Sequence, residues 1–143
     1  MKLYIDTCVY LDYINYNKEY SFEDRSEEIL RFFQVVINQD HKVILSSWVK
    51  EELKLKLAEI QEEISIFDEL FDNLNKIDIV YTEDDKKEAK RISFNNWQDA
   101  LHVILAKKAN AIMVITQNIR DFNELCKDIE YMNTKTFMRK YSH

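Results

Sequence analysis

A chain of 143 residues, 46% hydrophobic and 13% aromatic, carries enough apolar material for one folded core, which excludes an intrinsically disordered segment. It has no glycine and no proline. That removes Walker A loops, GxGxxG dinucleotide turns, GxSxG nucleophile elbows, collagen repeats and PxxP ligands, all of which need one or both residues. Twenty basic against 26 acidic residues leave a formal charge of −6, which argues against broad attraction to nucleic acid or anionic membrane but fits carboxylates gathered to hold a cation.

In chain order, Leu3 to Ile5 reads as a short buried strand. Ser21 and Asp24 make an [ST]-x-x-[DE] helix start, followed by Ile29, Phe32, Phe33, Val36 and Ile37 on one helical face. Lys42 to Leu45 is a second strand, and a helix begins near Ser47. From Leu53 through Leu57, Ile60, Ile64, Phe67 and Phe71 to Leu74, apolar residues alternate by four and three. This predicts a long helix or a two-helix hairpin packed on the domain, or more sharply a dimer or partner surface. Ile77 to Tyr81 is a third strand, and Thr82 with Asp85 repeats the helix-start signal. Ala100 to Ala106 is apolar nearly all round, hence a central, covered helix. Ile112 to Ile115 and Ile129 to Met132 complete the strands.

Strands alternating with helices predict a single domain over residues 1–143, a three-layer α/β/α sandwich around a mainly parallel sheet of four or five strands. Its 11 asparagines stand in for glycine, because Asn tolerates the left-handed conformation that ends helices. Asn38, Asn73 or Asn75, Asn110 and Asn123 fall where helices should stop. Cys8 and Cys126 have no metal-site or disulfide spacing, so the thiols are expected to be reduced and structural. No signal-like or membrane-spanning apolar run is present, and a cytoplasmic location is expected.

In an open parallel sheet, ligands bind beyond the carboxyl ends of the strands. Asp6 directly follows the first strand, Glu51 and Glu52 open the helix after the second, Asp99 begins the central helix, and Asn118 with Asp121 follows the fourth strand. Carboxylates forced together repel, and a divalent cation removes that penalty; oxygen donors favour Mg²⁺ or Mn²⁺. Arg120 adjoins the same place and is the best phosphate-binding candidate. Each acid also has a plainer role. Asp6 could cap a helix, Asp99 could answer a helix dipole, and Glu52 could be merely solvated. His102, one turn from Asp99, reads as helix packing rather than a phosphate contact, Trp48 and Trp97 as core or interface rather than base-stacking platforms, and Cys8 as a buried thiol rather than a nucleophile.

Leu3-Tyr4-Ile5-Asp6-Thr7 with Val9 and Leu11, Ser46 with Glu52-Leu53, Asp99-Ala100-Leu101-His102 leading to Ala106, and Ile115-Thr116-Gln117-Asn118 with Asp121-Phe122 resemble the PIN-domain nucleases, VapC-like toxins in particular. The resemblance spans nearly the whole chain. It implies a metal-dependent endoribonuclease in which Asp6, Glu52 and Asp99 are the core metal-binding carboxylates and Thr7 and Thr116 position them or metal-bound water. The fourth position falls to Asn118, through its carbonyl, or to Asp121. It further implies an RNA substrate, a small antitoxin partner and a homodimer. The uncharged Asn118 leaves a second reading open, a catalytically degenerate PIN domain that binds RNA or protein. A phosphotransfer domain is disfavoured because Asp6-Thr7-Cys8 lacks a second acid.

Overall fold

The computed structural model describes residues 1–16 and 26–142. The helix-start signal at Ser21 and Asp24 lies outside the described residues. Strand β1 (Lys2–Ile5) leads into α1 (Thr7–Tyr13), and α2 (Ser26–Asn38) precedes β2 (Lys42–Ser46). After α3 (Ser47–Glu59) come a 3₁₀ turn (Ile64–Phe67), α4 (Asp68–Asn73) and β3 (Asn75–Ile79). The chain continues through α5 (Glu83–Ile92), α6 (Trp97–Lys108), β4 (Met113–Ile115), α7 (Ile119–Asn123), β5 (Glu130–Met132) and α8 (Thr134–Tyr141).

The five strands form one sheet in the order β3-β2-β1-β4-β5, and every pairing is parallel. β1 sits in the middle, with Tyr4 opposite Ile44 of β2 and Val114 of β4. Its run of Leu3, Tyr4 and Ile5 is fully buried, as a strand covered on both faces must be. Chain progress runs from β1 outward through β2 to β3, then jumps back across the sheet to β4 and outward to β5. Right-handed crossovers in opposite directions put helices on both faces, and the switch in direction opens a crevice at the carboxyl ends of β1 and β4.

β3 starts two residues earlier than its apolar pattern suggests. It is the edge strand, with Ile77 and Ile79 only half-buried, and Tyr81 has already left the ladder. The apolar seam from Leu53 to Leu74 takes the hairpin form of its two readings. α3 stops at Glu59, and Gln61 at φ 60° turns the chain back. Leu53, Leu57, Phe67, Leu70, Phe71 and Leu74 face inward while Ile60 is exposed. Thr82 and Asp85 form a reciprocal capping box at the start of α5. Asn110 ends α6 at φ 59°, the conformation usually given to glycine, and Asn15, Asp40 and Gln61 supply the other left-handed turns among the described residues. Asn38, Asn73 and Asn123 are the last residues of α2, α4 and α7, without positive φ.

An aromatic cluster joins α1 to its neighbours. Tyr10 stacks on Phe33 of α2 at 5.5 Å between ring centroids and meets Phe67 and Phe71 edge-on, while Tyr13 also meets Phe33 edge-on. This cluster fixes α1, and therefore the direction of the side chains at its start. No helix among the described residues is long and apolar enough to cross a membrane.

Candidate metal centre

Asp6 ends β1 and caps α1, so its structural and chemical readings coincide in one residue. Its main-chain N–H donates to the Ile115 carbonyl at 2.8 Å, which extends the β1–β4 pairing by one bond. Its carboxylate Oδ1 accepts from the Thr7 N–H at 2.8 Å, while Oδ2 accepts from the Thr116 hydroxyl at 2.8 Å. The carboxylate is therefore held rigidly at the mouth of the crevice, 3% exposed.

Glu52 arrives on α3, whose register is set by Ser46 at the end of β2. The Ser46 Oγ accepts from the Val49 N–H and caps the helix. That register turns Glu52 toward Asp6 and leaves Glu51 outside, accepting from the Tyr81 hydroxyl at 2.6 Å. Thr7 Oγ1 donates to Glu52 Oε1 at 2.8 Å. The two threonines expected to position carboxylates thus hydrogen-bond to two of them.

Asp99, in the first turn of α6, is half-buried and lines the same cleft. Burial, then the charge of Asp6, raises its pKa to about 7, with Glu52 and Asp121 adding to the rise and His102 opposing it. Asp99 is therefore a carboxyl whose charge is disfavoured first by burial and then by the neighbouring acids. The cleft, about 140 Å³, is lined by Asp6, Thr7, Cys8, Leu11, Glu52, Lys56, Asp99 and Asn118. Asn118 occupies the N-cap position of α7 but makes no side-chain capping bond, which leaves its amide on the cleft wall. Asp121 and Arg120, a turn along α7, are exposed and lie outside that lining.

Two members of the site escape a sequence reading. His102 is completely buried, with Nε2 2.5 Å from Glu52 Oε1 and 3.3 Å from Asp6 Oδ1. Burial alone would lower its pKa, but the charge of Asp6, then the hydrogen bond and charge of Glu52, raise it overall. Its Nδ1 lies 2.6 Å from the Tyr4 hydroxyl, itself 2.8 Å from Ser46 Oγ. A side chain from β1 and one from the end of β2 therefore hold the ring on the two carboxylates. The spacing of three from Asp99 was the available signal, since i and i+3 share a helix face. Lys56 looked like one more solvated lysine, yet its charge helps hold the Glu52 carboxyl below its ordinary range. Burial opposes that lowering, and the bonds from His102 and Thr7 contribute more to it than Lys56 does.

Cys8 Sγ lies 3.2 Å from Asp6 Oδ2, and burial together with the Asp6 charge pushes its thiol well up. A thiolate nucleophile is thereby disfavoured. Both cysteines are free. Oxygen donors on Asp6 and Glu52 and the His102 nitrogen lie within 4.8 Å of one another. That nitrogen is already engaged with Glu52, so the two carboxylates are what this trio offers a divalent ion, and Asp99 joins them as a neighbour on the cleft lining rather than as a member of the trio.

The sequence matches no family model, and no curated protein matches it. Several solved structures share its fold. A chain of the VapBC2 complex of Rickettsia felis, bound to a DNA fragment from its promoter, superposes with a TM-score of 0.63 at 16% identity, covering 93% of this chain and 98% of that one. A chain of FitAB bound to the IR36 DNA fragment gives 0.60 at 15% identity over 92% and 94%. FitAcB from Neisseria gonorrhoeae gives 0.60 at 15% over 93% and 98%. The protein thus has the PIN-like fold of these chains, an α/β architecture with an all-parallel five-stranded sheet.

Proposed function

We propose that this protein is a divalent-metal-dependent endoribonuclease and the toxin of a toxin–antitoxin pair. The observation that carries the reading is the convergence of Asp6, Glu52 and Asp99, from three separate elements, on one cleft at the switch point of the sheet. Such crowding costs stability unless a cation relieves it. The likeness to VapBC2 and FitAB chains adds the toxin class and an antitoxin partner.

Mg²⁺ or Mn²⁺ held at these carboxylates would supply an activated water and neutralise charge on the phosphodiester. Asp6, Glu52 and Asp99 would hold it, with Asn118 on the same cleft lining offering a neutral oxygen. Thr116 and Thr7 keep the Asp6 and Glu52 carboxylates from turning away, and His102 restrains both from the buried side. Lys56 on the cleft lining would meet an RNA phosphate, and Arg120, exposed in α7 and off that lining, is the further candidate from the sequence.

The test is incubation with a mixed RNA pool, with Mn²⁺ or with EDTA, followed by mapping of the cut ends. Cleavage that requires the metal and leaves no 2′,3′-cyclic phosphate supports attack by water. RNA that survives intact, while still being bound, would establish the degenerate reading that Asn118 raises.

A further inference from the structure

A second cavity, of about 460 Å³, adjoins the carboxylate cleft and shares Glu52 and Lys56 with it. Its other walls are Trp48, Glu51, Leu55, Lys86, Trp97 and Gln98. We infer that this groove is a nucleoside-binding subsite, taking the base next to the scissile phosphate of a single-stranded RNA. The inference rests on the nuclease reading and goes beyond it by placing the neighbouring nucleotide.

The groove combines apolar walls with cations that have no anionic partner. Leu55 is 62% exposed on the surface of α3, an apolar side chain left in water beside the only two tryptophans of the chain. Trp48 is fixed as a wall, its Nε1–H donating to the Gln98 carbonyl at 3.1 Å and its ring tilted against Trp97 at 5.3 Å. Lys86 and Lys90 reach over Trp97 from α5, with Nζ 5.2 and 5.0 Å from the ring centre. Among the described residues, neither Lys86 nor Lys90 pairs with a carboxylate, whereas Lys50, Lys107 and Lys108 all do, and Lys56 acts on Glu52. Of the two acids on the walls, Glu51 is tied to Tyr81 and Glu52 belongs to the metal centre.

In a chain of net charge −6, Lys86 on the groove wall and Lys90 beside it, both over Trp97 and neither paired with a carboxylate, match a flat apolar group carried on a polyanion. The size falls within the range of about 300–1,000 Å³ that holds small organic ligands. Continuity through Glu52 and Lys56 sets the order: the phosphate at the carboxylates, the base against Leu55 and the half-buried Trp97 with the buried Trp48 beneath, the next phosphate at Lys86 and Lys90. A segment of a protein partner is the rival occupant, and it would need carboxylates of its own to answer the lysines.

Because Trp48 and Trp97 are the only tryptophans, all tryptophan emission reports on this groove. The experiment titrates the intact protein, in EDTA, with a mixed-sequence RNA hexanucleotide and with the same oligomer carrying abasic sites. The hexanucleotide should quench the emission, and both the abasic sites and the exposed-residue variant Leu55→Asp should weaken binding by about tenfold. Lys86→Glu should weaken it similarly, and added salt should do so progressively. Equal binding of the abasic oligomer overturns the proposal, as does an emission change with an apolar peptide but with no RNA. If RNA is cleaved with Mn²⁺ yet emission never responds, the subsite is wrong and the nuclease reading stands. If base-dependent quenching occurs without cleavage, the subsite is right and the catalytic reading fails.

Discussion

Replacing Asp99 with asparagine is expected to abolish Mn²⁺-dependent RNA cleavage and, without metal, to make the protein more stable than the parent at alkaline pH. The activity loss should be on the order of 10³-fold, the scale of losing a group that manages transition-state charge. The stability gain follows from linkage. Asp99 titrates at about 7 in the fold, against an ordinary 3.8, so the fold prefers its protonated form. The penalty is absent below pH 4, grows as pH rises toward 7, and is complete above it. Three pKa units bound it at about 4 kcal/mol, and partial access to solvent brings it to about 2 kcal/mol. His102 shifts the same balance, since a raised histidine pKa also loses its stabilisation as pH rises through the folded value. The difference between parent and variant is therefore the quantity to measure. Thermal unfolding in EDTA should show Asp99→Asn ahead of the parent at pH 8 and level with it near pH 4. Added Mn²⁺ should raise the parent's Tm at pH 8 and leave the variant's unchanged. A gap that does not change with pH would show that crowded charge is not what distinguishes this cleft.

Truncating Phe33 to alanine should be the most damaging change remote from the site, costing about 3–5 kcal/mol. The ring is 1% exposed and touches Tyr10, Tyr13 and Phe32, so its removal leaves a cavity between α1 and α2 that neighbouring aromatics cannot refill without leaving their rotamers. For a domain of this size the loss corresponds to a fall in Tm of about 10 °C or more. Because α1 begins at Thr7, beside Asp6, metal affinity should fall with it, and denaturant unfolding alongside Mn²⁺ titration would show both. A Tm within a few degrees of the parent would mean that the aromatic cluster does not anchor α1.

The sheet was legible in the sequence because its strands are short, β-branched and almost wholly buried, and because helical periodicity fills the gaps between them. The edge strand was misplaced by two residues for the opposite reason, since its half-buried isoleucines alternate with exposed Lys76 and Asp78. The ends of α2, α4, α6 and α7 fell at asparagines, but only Asn110 uses the left-handed conformation, and Asp40 and Gln61 do that work elsewhere. Aspartates at strand ends were visible because topology makes that position special. The choice between Glu51 and Glu52 was not decidable from spacing, as it depends on the helical register set by the Ser46 cap. His102 stayed hidden for a related reason. A histidine on an apolar helix reads as packing until a tyrosine on β1 and a serine at the end of β2, distant in sequence, are seen to aim it at two carboxylates. The missing glycines now have a structural counterpart, a site built from side-chain oxygens rather than from a phosphate-cradling backbone.

The central claim is that these carboxylates hold a catalytic cation, and anomalous diffraction from crystals grown with Mn²⁺ tests it most directly. The account predicts a manganese peak in the cleft, within about 2.5 Å of oxygens of Asp6, Glu52 and Asp99. A cleft without a peak at saturating Mn²⁺, or manganese found only on surface carboxylates elsewhere, would contradict it.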